Sequence, residues 1–238
     1  MKNNARHPSI ACEACGSRGN SLFGALCSHQ LTNISDNKSC TLYKKGQVLF
    51  HEGTRPLGVF CINRGKVKVY KLGYDGKEQI THIANDGGLL GYKALLAEET
   101  YQVSAETLED CTICFLPKST FLQTLQESSD FNQQIMKQVC HELGLMTENL
   151  TNQAQRTVRE RLAITLLKLK DTYGMDAQDD GPIEINLTRD DLANMVGTAT
   201  ETLIRLLHEF KEDGLVSTQG RKIRVEDSQG LVRTANLY

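Results

Sequence analysis

Leu187-Thr-Arg-Asp-Asp-Leu-Ala-Asn-Met-Val-Gly-Thr-Ala-Thr-Glu-Thr-Leu-Ile-Arg-Leu-Leu207 contains two helix starts ten residues apart. Thr188-Arg-Asp-Asp191 and Thr198-Ala-Thr-Glu201 both fit the capping-box pattern, in which a hydroxyl and a carboxylate three residues on satisfy amides at a helix N-terminus. Leu192, Ala193 and Val196 fall on the inner face of the first helix, Gly197 makes the corner, and Leu203 and Leu206 resume the apolar face in the second. Ala193 admits a close helix crossing and Gly197 a sharp turn, which is helix-turn-helix spacing. Two amphipathic helices about a glycine also occur as a plain packing unit. Here Gly214-Leu-Val-Ser-Thr-Gln-Gly-Arg-Lys-Ile-Arg-Val225 follows as strand, turn and strand with Gln219-Gly220 at the tip, so the predicted unit is a winged helix-turn-helix.

Charge alone does not announce double-stranded DNA as the partner. The whole chain carries 27 Lys and Arg against 29 Asp and Glu, and residues 153–238 carry 12 against 14. Position has to supply the contact. Arg189, Arg221 and Lys222 fall at the first helix start and on the wing, where phosphates would lie. Thr198 and Thr200 open the presumed recognition helix, and Glu201, Ile204 and Arg205 occupy its exposed side. Arginine grips guanine N7 and O6, and glutamate accepts from a cytosine amino group, so Glu201 and Arg205 are suited to adjacent base pairs. The capping box alone would also explain Glu201.

Upstream, Ile135, Val139, Leu143, Met146 and Leu150 step by four or three along a predicted helix from about Asp130 to about Asn152. This narrow seam either lies on the preceding domain or pairs with a second copy, and its alternating spacing favours a homodimer. A second helix follows from Val158 to about Tyr173, then an acidic loop, Asp176 to Pro182, and a short strand, Ile183 to Leu187. From Cys40 to Pro117 the texture is short β-rich runs punctuated by glycine, with a hairpin signal at Asp75-Gly76. That is the rhythm of a small antiparallel roll. The fold class expected is α+β, with an arm over 1–39, a β-roll over 40–128, a dimerisation helix over 129–153 and the winged domain over 154–238.

The chain has 238 residues, 39% of them hydrophobic, enough to bury a sizeable core. It has no run of eighteen apolar residues and its first eleven are polar, so a cytoplasmic protein with no membrane partner is expected. No phosphate loop, nucleophile elbow or histidine–carboxylate metal signature points to an enzyme.

Eight cysteines are the compositional anomaly: Cys12, Cys15, Cys27, Cys40, Cys61, Cys111, Cys114 and Cys140. Structural disulfides seldom persist in a reducing compartment, so metal binding or redox sensing is the better question. Cys12, Cys15, Cys111 and Cys114 form two Cys-x-x-Cys pairs, a set suited to structural Zn2+, although a regular strand would turn Cys111 and Cys114 to opposite faces. Metal-free buried thiols are the third alternative. Cys61 in an apolar strand and Cys140 on the helix read as core or interface.

In this order, a cysteine-rich arm, a glycine-punctuated roll, a seam helix and a winged helix-turn-helix resemble the Crp/Fnr superfamily of bacterial transcription regulators. The most specific stretches are 187–207, Lys45-Gly-Gln-Val-Leu-Phe50 and Asp75-Gly-Lys-Glu-Gln-Ile80. The resemblance implies a cyclic-nucleotide-binding-domain-like roll as sensor, a homodimer reading a palindrome, and RNA polymerase as a partner. Cyclic-nucleotide binders of that superfamily carry a Gly-Glu-Leu cassette followed by Arg-Ser, whereas this chain has Leu90-Gly-Tyr-Lys-Ala-Leu95 and Gln102-Val-Ser-Ala105. No cyclic nucleotide is therefore expected, and Gly91-Tyr-Lys-Ala resembles the Fnr branch.

That branch holds a [4Fe–4S] cluster on three arm cysteines and one in the roll. By resemblance the ligands are Cys12, Cys15, Cys27 and Cys114. Eleven residues, Gly16 to Leu26, separate Cys15 from Cys27, a wider gap than is usual, and Cys40 or Cys111 are alternatives for the third position. The seam centre carries no carboxylate, so a dimer is expected to survive loss of the cluster. Glu201 and Arg205 match residues used for a TGA element, and Thr200 replaces an arginine of the cyclic-AMP-responsive members. The implied half-site is closer to TTGAT than to TGTGA, with Ile204 departing from the small polar residue of the Fnr branch.

Overall fold

The structure, a computed structural model, describes residues 10–174 and 183–237; the acidic loop inferred over 176–182 lies outside the described residues. The chain divides into two compact units, the first comprising residues up to Lys71 and His82–Leu143, the second Leu72–Thr81 and the chain from Gly144 onward.

In the first unit, three short 3-10 turns, Cys12–Ala14, Arg18–Asn20 and Leu22–Ala25, lead into α1 (Ser28–Asn37). Then come β1 (Ser39–Tyr43), β2 (Val48–Phe50), β3 (Gly58–Arg64), β4 (Val67–Leu72), β5 (Glu78–Ala84), β6 (Leu89–Leu90), α2 (Tyr92–Leu96), β7 (Ser104–Thr107), β8 (Cys111–Pro117), α3 (Lys118–Glu127) and α4 (Ser129–Gln155), with the start of β5 and the part of α4 from Gly144 belonging to the second unit. The strands form two four-stranded sheets in the orders β1-β8-β3-β6 and β2-β7-β4-β5. Asp75-Gly76 makes the β4–β5 turn: Gly76 sits at φ 77°, and the Asp75 carboxylate accepts from the Lys77 amide at 3.0 Å.

Alternation along β3 and β8 separates two cores. Phe60, Ile62, Cys111 and Ile113 join Phe50, Val67, Val69 and Ala105 of the other sheet inside the roll. Val59 and Leu116 face the opposite way, and with Phe121 of α3 and Phe131 and Ile135 of α4 they bury Phe23, Leu26, Leu31 and Ile34 of the arm and α1. Phe23 stacks on Phe131 with ring centroids 5.5 Å apart, and Phe121 meets Phe131 edge-on at 5.9 Å. The arm is thus a packed layer on the outside of the roll.

The second unit contains α5 (Val158–Gly174), β9 (Glu184–Asn186), α6 (Arg189–Val196), α7 (Thr200–Glu212), β10 (Val216–Gln219), β11 (Lys222–Val225) and α8 (Ser228–Thr234). The strands are ordered β10-β11-β9, so the wing gains a third strand from the segment before α6. Leu162, Leu166, Leu192, Ala193, Val196, Leu203 and Phe210 are buried. The sequence reading did not identify α8; its signal is Asp227, which caps the helix by accepting from the Gly230 amide at 2.8 Å. Among the described residues, no helix is long and apolar enough to cross a membrane.

Candidate functional sites: a thiol cleft and a winged helix

Three cysteines stand in register across one sheet. Cys114 at the middle of β8 faces Cys40 of β1 on one side and Cys61 of β3 on the other. Directly opposed residues of antiparallel strands project to the same face, so the three thiols share the outer face of the sheet. The arm folds over that face, and a cleft forms there with Cys12, Cys15, Cys61 and Cys114 in its lining. Cys111 points the other way, buried in the interior of the roll, where its thiol donates to the carbonyls of Lys66 and Glu109.

Polar groups address the sulfurs. Lys38 Nζ donates to Cys12 Sγ at 2.9 Å and Asn63 Nδ2 to Cys15 Sγ at 3.1 Å, while Ser17 Oγ lies 3.2 Å from Cys15 Sγ and Ser21 Oγ 3.9 Å from Cys61 Sγ. Burial pushes the Cys61 thiol up to about 12, so without a metal it stays protonated. Among the described residues, no three His, Cys, Asp or Glu groups close around a single ion. A four-iron cluster is wider than one ion and takes thiolates spaced around a larger body; the thiols of Cys12, Cys15 and Cys61 and, once its bond to Cys40 is reduced, that of Cys114 give the cleft wall a fitting donor set.

The structure brings Cys12, Cys15 and Cys114 together, as the sequence-based set requires, but not Cys27. Cys27 is exposed at the N-cap of α1, where its amide donates to Gln30, and it lines no part of the cleft. Cys61, read from sequence as core or interface, packs against the arm-side core and also lines the cleft; strand alternation could not reveal that the arm would cover that face. The expectation that the thiols are reduced also needs correction, because Cys40 and Cys114 are joined in a disulfide. Their register leaves the Cα atoms 4.0 Å apart, close enough for a bridge. The double Cys-x-x-Cys zinc arrangement is split by the sheet, with Cys111 on one face and Cys114 on the other.

On α4 the predicted stripe divides. Ile135 is buried in the arm-side core and Val139 packs against it, whereas Leu143, Met146 and Leu150 are 65%, 61% and 73% exposed. Met136, two turns before Leu143, and exposed Cys140 between them extend the row. Where α2 meets α4, Glu142 accepts from Tyr92 at 2.8 Å and from Lys93 at 2.7 Å. Burial pushes the Glu142 carboxyl up, but hydrogen bonds from Lys93, Gln138 and Tyr92 outweigh it and hold the group below the usual carboxylate range.

In the winged domain Thr188 caps α6 as its spacing predicts, accepting from the Asp191 amide at 3.0 Å. Thr198 does not cap α7. Its amide and that of Gly197 both close on the Ala193 carbonyl at the end of α6, so α7 starts two residues later, at Thr200, with Ala199 as N-cap. Gly197 takes φ 73°, and an added Cβ would lie 2.9 Å from Gln153. Arg161 of α5, overlooked in the sequence, fixes the corner by donating to the carbonyls of Val196 and Gly197 at 2.9 and 3.1 Å.

Glu201, Ile204 and Arg205 are exposed on α7; Arg205 donates to Glu209 at 2.6 Å, and Thr200 donates to Asp190 at 2.8 Å. Arg189 donates to the Gly220 carbonyl at 2.9 Å, bracing the wing tip. Exposed Arg221 and Lys222 lie at that tip, Lys222 paired with Glu184 at 2.6 Å.

Comparison with known proteins agrees with this architecture. Residues 41–128 match the cyclic nucleotide-binding domain family and residues 160–234 the Crp-like helix-turn-helix domain family. The chain is 29% identical over 203 residues to the anaerobic regulatory protein of Haemophilus influenzae, covering 85% of this chain and 78% of that protein. It is 28% identical over 206 residues to the fumarate and nitrate reduction regulatory protein of Yersinia pestis, covering 87% and 81%. In fold it is similar to a protein of Eubacterium rectale assigned to the Crp/Fnr family, with a TM-score of 0.71 at 20% identity over 90% of this chain and 97% of the other. These relatives are regulators, not enzymes. With both family domains in sequence and a fold that superposes on family structures, the chain belongs to the Crp/Fnr family of DNA-binding transcription regulators.

Proposed function

We propose that this protein is a cytoplasmic, homodimeric, redox-responsive regulator that senses oxidants through a [4Fe–4S] cluster and reads a palindrome of TTGAT-like half-sites. One observation carries the reading: Cys12 and Cys15 of the arm and Cys114 of the roll line one cleft. These three are the ligands assigned here, and the fourth is taken up below. When bound, such a cluster supplies iron that dioxygen attacks. The chain's own residues do the rest. Lys38 and Asn63 direct polar hydrogens at the sulfurs of Cys12 and Cys15, Ser17 lies against Cys15, and Phe23, eight residues beyond Cys15, stacks on Phe131 of α4 and ties the arm to that helix. Lys93 is paired with Glu142, and the roll lacks the Glu and Arg of the cyclic-nucleotide cassette, so no cyclic nucleotide is assigned.

Dimerisation is assigned to the exposed row Leu143, Met146 and Leu150, continuing the line of Ile135 and Val139. Burying one such side chain contributes about 1.5–3 kcal/mol. On DNA, Arg205 exchanges Glu209 for guanine and Glu201 accepts from cytosine. Thr198, Thr200 and Ile204 border that contact, and Arg189, Arg221 and Lys222 face phosphate. RNA polymerase is the partner at the promoter, as in the family.

The test is anaerobic purification with iron and sulfide assays, followed by binding to a TTGAT palindrome before and after exposure to air. Iron and sulfide that disappear in air together with a change in DNA affinity are expected. Identical affinity in both states, or protein isolated without iron, speaks against the reading.

A further inference from the structure

We propose that Cys61, not Cys27, supplies the fourth cluster thiolate. This rests on the cluster reading above. Cys61 stands directly opposite Cys114 in the β3–β8 register, on the face that the arm covers, and shares the cleft with Cys12 and Cys15. Ser21 lies against its sulfur, so the arm reaches Cys61 from the side on which Cys12 and Cys15 lie. Cys27 opens α1, whose Leu31 and Ile34 are fully buried in the arm-side core. Swinging Cys27 into the cleft would unwind the start of that helix. Cys61 already stands in the cleft wall, so two of the four ligands lie on the sheet and two on one turn of the arm. The gap from Cys15 to Cys27 thus becomes irrelevant to the site.

C27A, C61A, C61S and C12A variants of the full chain, each checked for cooperative unfolding, are reconstituted anaerobically beside the wild type. Iron, sulfide and thiolate-to-iron visible absorbance are then measured. The wild type and C27A should hold about four irons per chain, while C61A and the nearly isosteric C61S fall to the level of C12A. Full iron in both Cys61 variants, or a loss in C27A as deep as theirs, overturns the assignment and leaves the cluster reading standing. A wild type that takes up neither iron nor sulfide overturns both.

The disulfide carries a second inference, which rests on the same cluster reading. Cys114 cannot be bonded to Cys40 and ligate iron at once, and we infer that the Cys40–Cys114 bond is the oxidised, cluster-free state of the sensor. In forming it, two thiols lose two protons and two electrons, the S–S bond closes, and dioxygen takes them up to give hydrogen peroxide. Cytoplasmic disulfides of this kind are transient and redox-sensing. Peptide mapping after alkylation without reduction should find the Cys40 and Cys114 peptides joined in air-exposed protein, separate in anaerobic cluster-loaded protein, and separate again after thiol treatment. Peptides that stay separate in air, or are already joined in the loaded protein, overturn the inference.

Discussion

The winged helix takes the residues assigned to DNA from one continuous stretch, Arg189 to Lys222, whereas the thiol cleft gathers side chains from the arm, α1, β3 and β8. In the first, contacts three to five residues apart set the helix ends, Thr188 on Asp191 and Gly197 and Thr198 on Ala193, with Arg161 of α5 added at the corner. In the second, strand register and an overlying arm set it. The two regions should therefore fail differently. Damage to the first unit's packing should scatter the thiols, while base-reading side chains can be removed without disturbing anything beneath them.

The largest effect expected in separating the two is at the arm. Phe23→Ala removes a buried ring stacked on Phe131 and should cost about 3–5 kcal/mol in the unfolding of the first unit. Iron uptake should weaken with it, while the winged domain's melting is unchanged. Calorimetry on the whole chain resolves the two transitions, and a single unshifted melt would break the contrast.

Arg205→Ala should act in the opposite place. Loss of a guanine contact costs about 1–3 kcal/mol per half-site, read as weaker binding and relaxed preference at one base pair in a binding-site selection. Iron content should be untouched. Uniform weakening across all sequences would instead make Arg205 a phosphate contact.

The smallest effect concerns Glu142. Its carboxyl is depressed in the folded chain, so the stability it contributes is present above the unfolded carboxylate pKa and is lost as pH falls through the folded value. Glu142→Gln should lower stability by about 1 kcal/mol at neutral pH. The difference from wild type should shrink as the pH is taken down through the carboxylate range, which thermal melts at a series of pH values will follow. A gap that widens on acidification would reverse the sign argued here.

The same contrast explains what could be read in advance. The β4–β5 turn, the Thr188 cap and the corner at Gly197 are written in neighbouring residues, and each formed where its chemistry asked. Thr198 was misplaced because two patterns compete there, and the closing turn of α6 took its amide before α7 could use its hydroxyl. Cys61 packs against the core as its apolar strand asks, but its place in the cleft carries no local signal. Its strand shows only that one face is apolar on each side, and nothing local records that Cys114 lies opposite or that the arm packs above. Lys38 and Asn63 carry no spacing signal at all, being brought to the sulfurs by a helix end and a strand end that are distant in sequence.

The Phe23–Phe131 stack has a consequence that runs backwards from sensing. The arm and the long helix share one aromatic core, so any preference of α4 for one arrangement is also a preference of the arm. Thermodynamic linkage is reciprocal: if the loaded arm tightens the grip on an operator by some factor, the operator must tighten the hold on the inorganic centre by that same factor. Promoter-bound protein would then be the population that holds its iron most tightly.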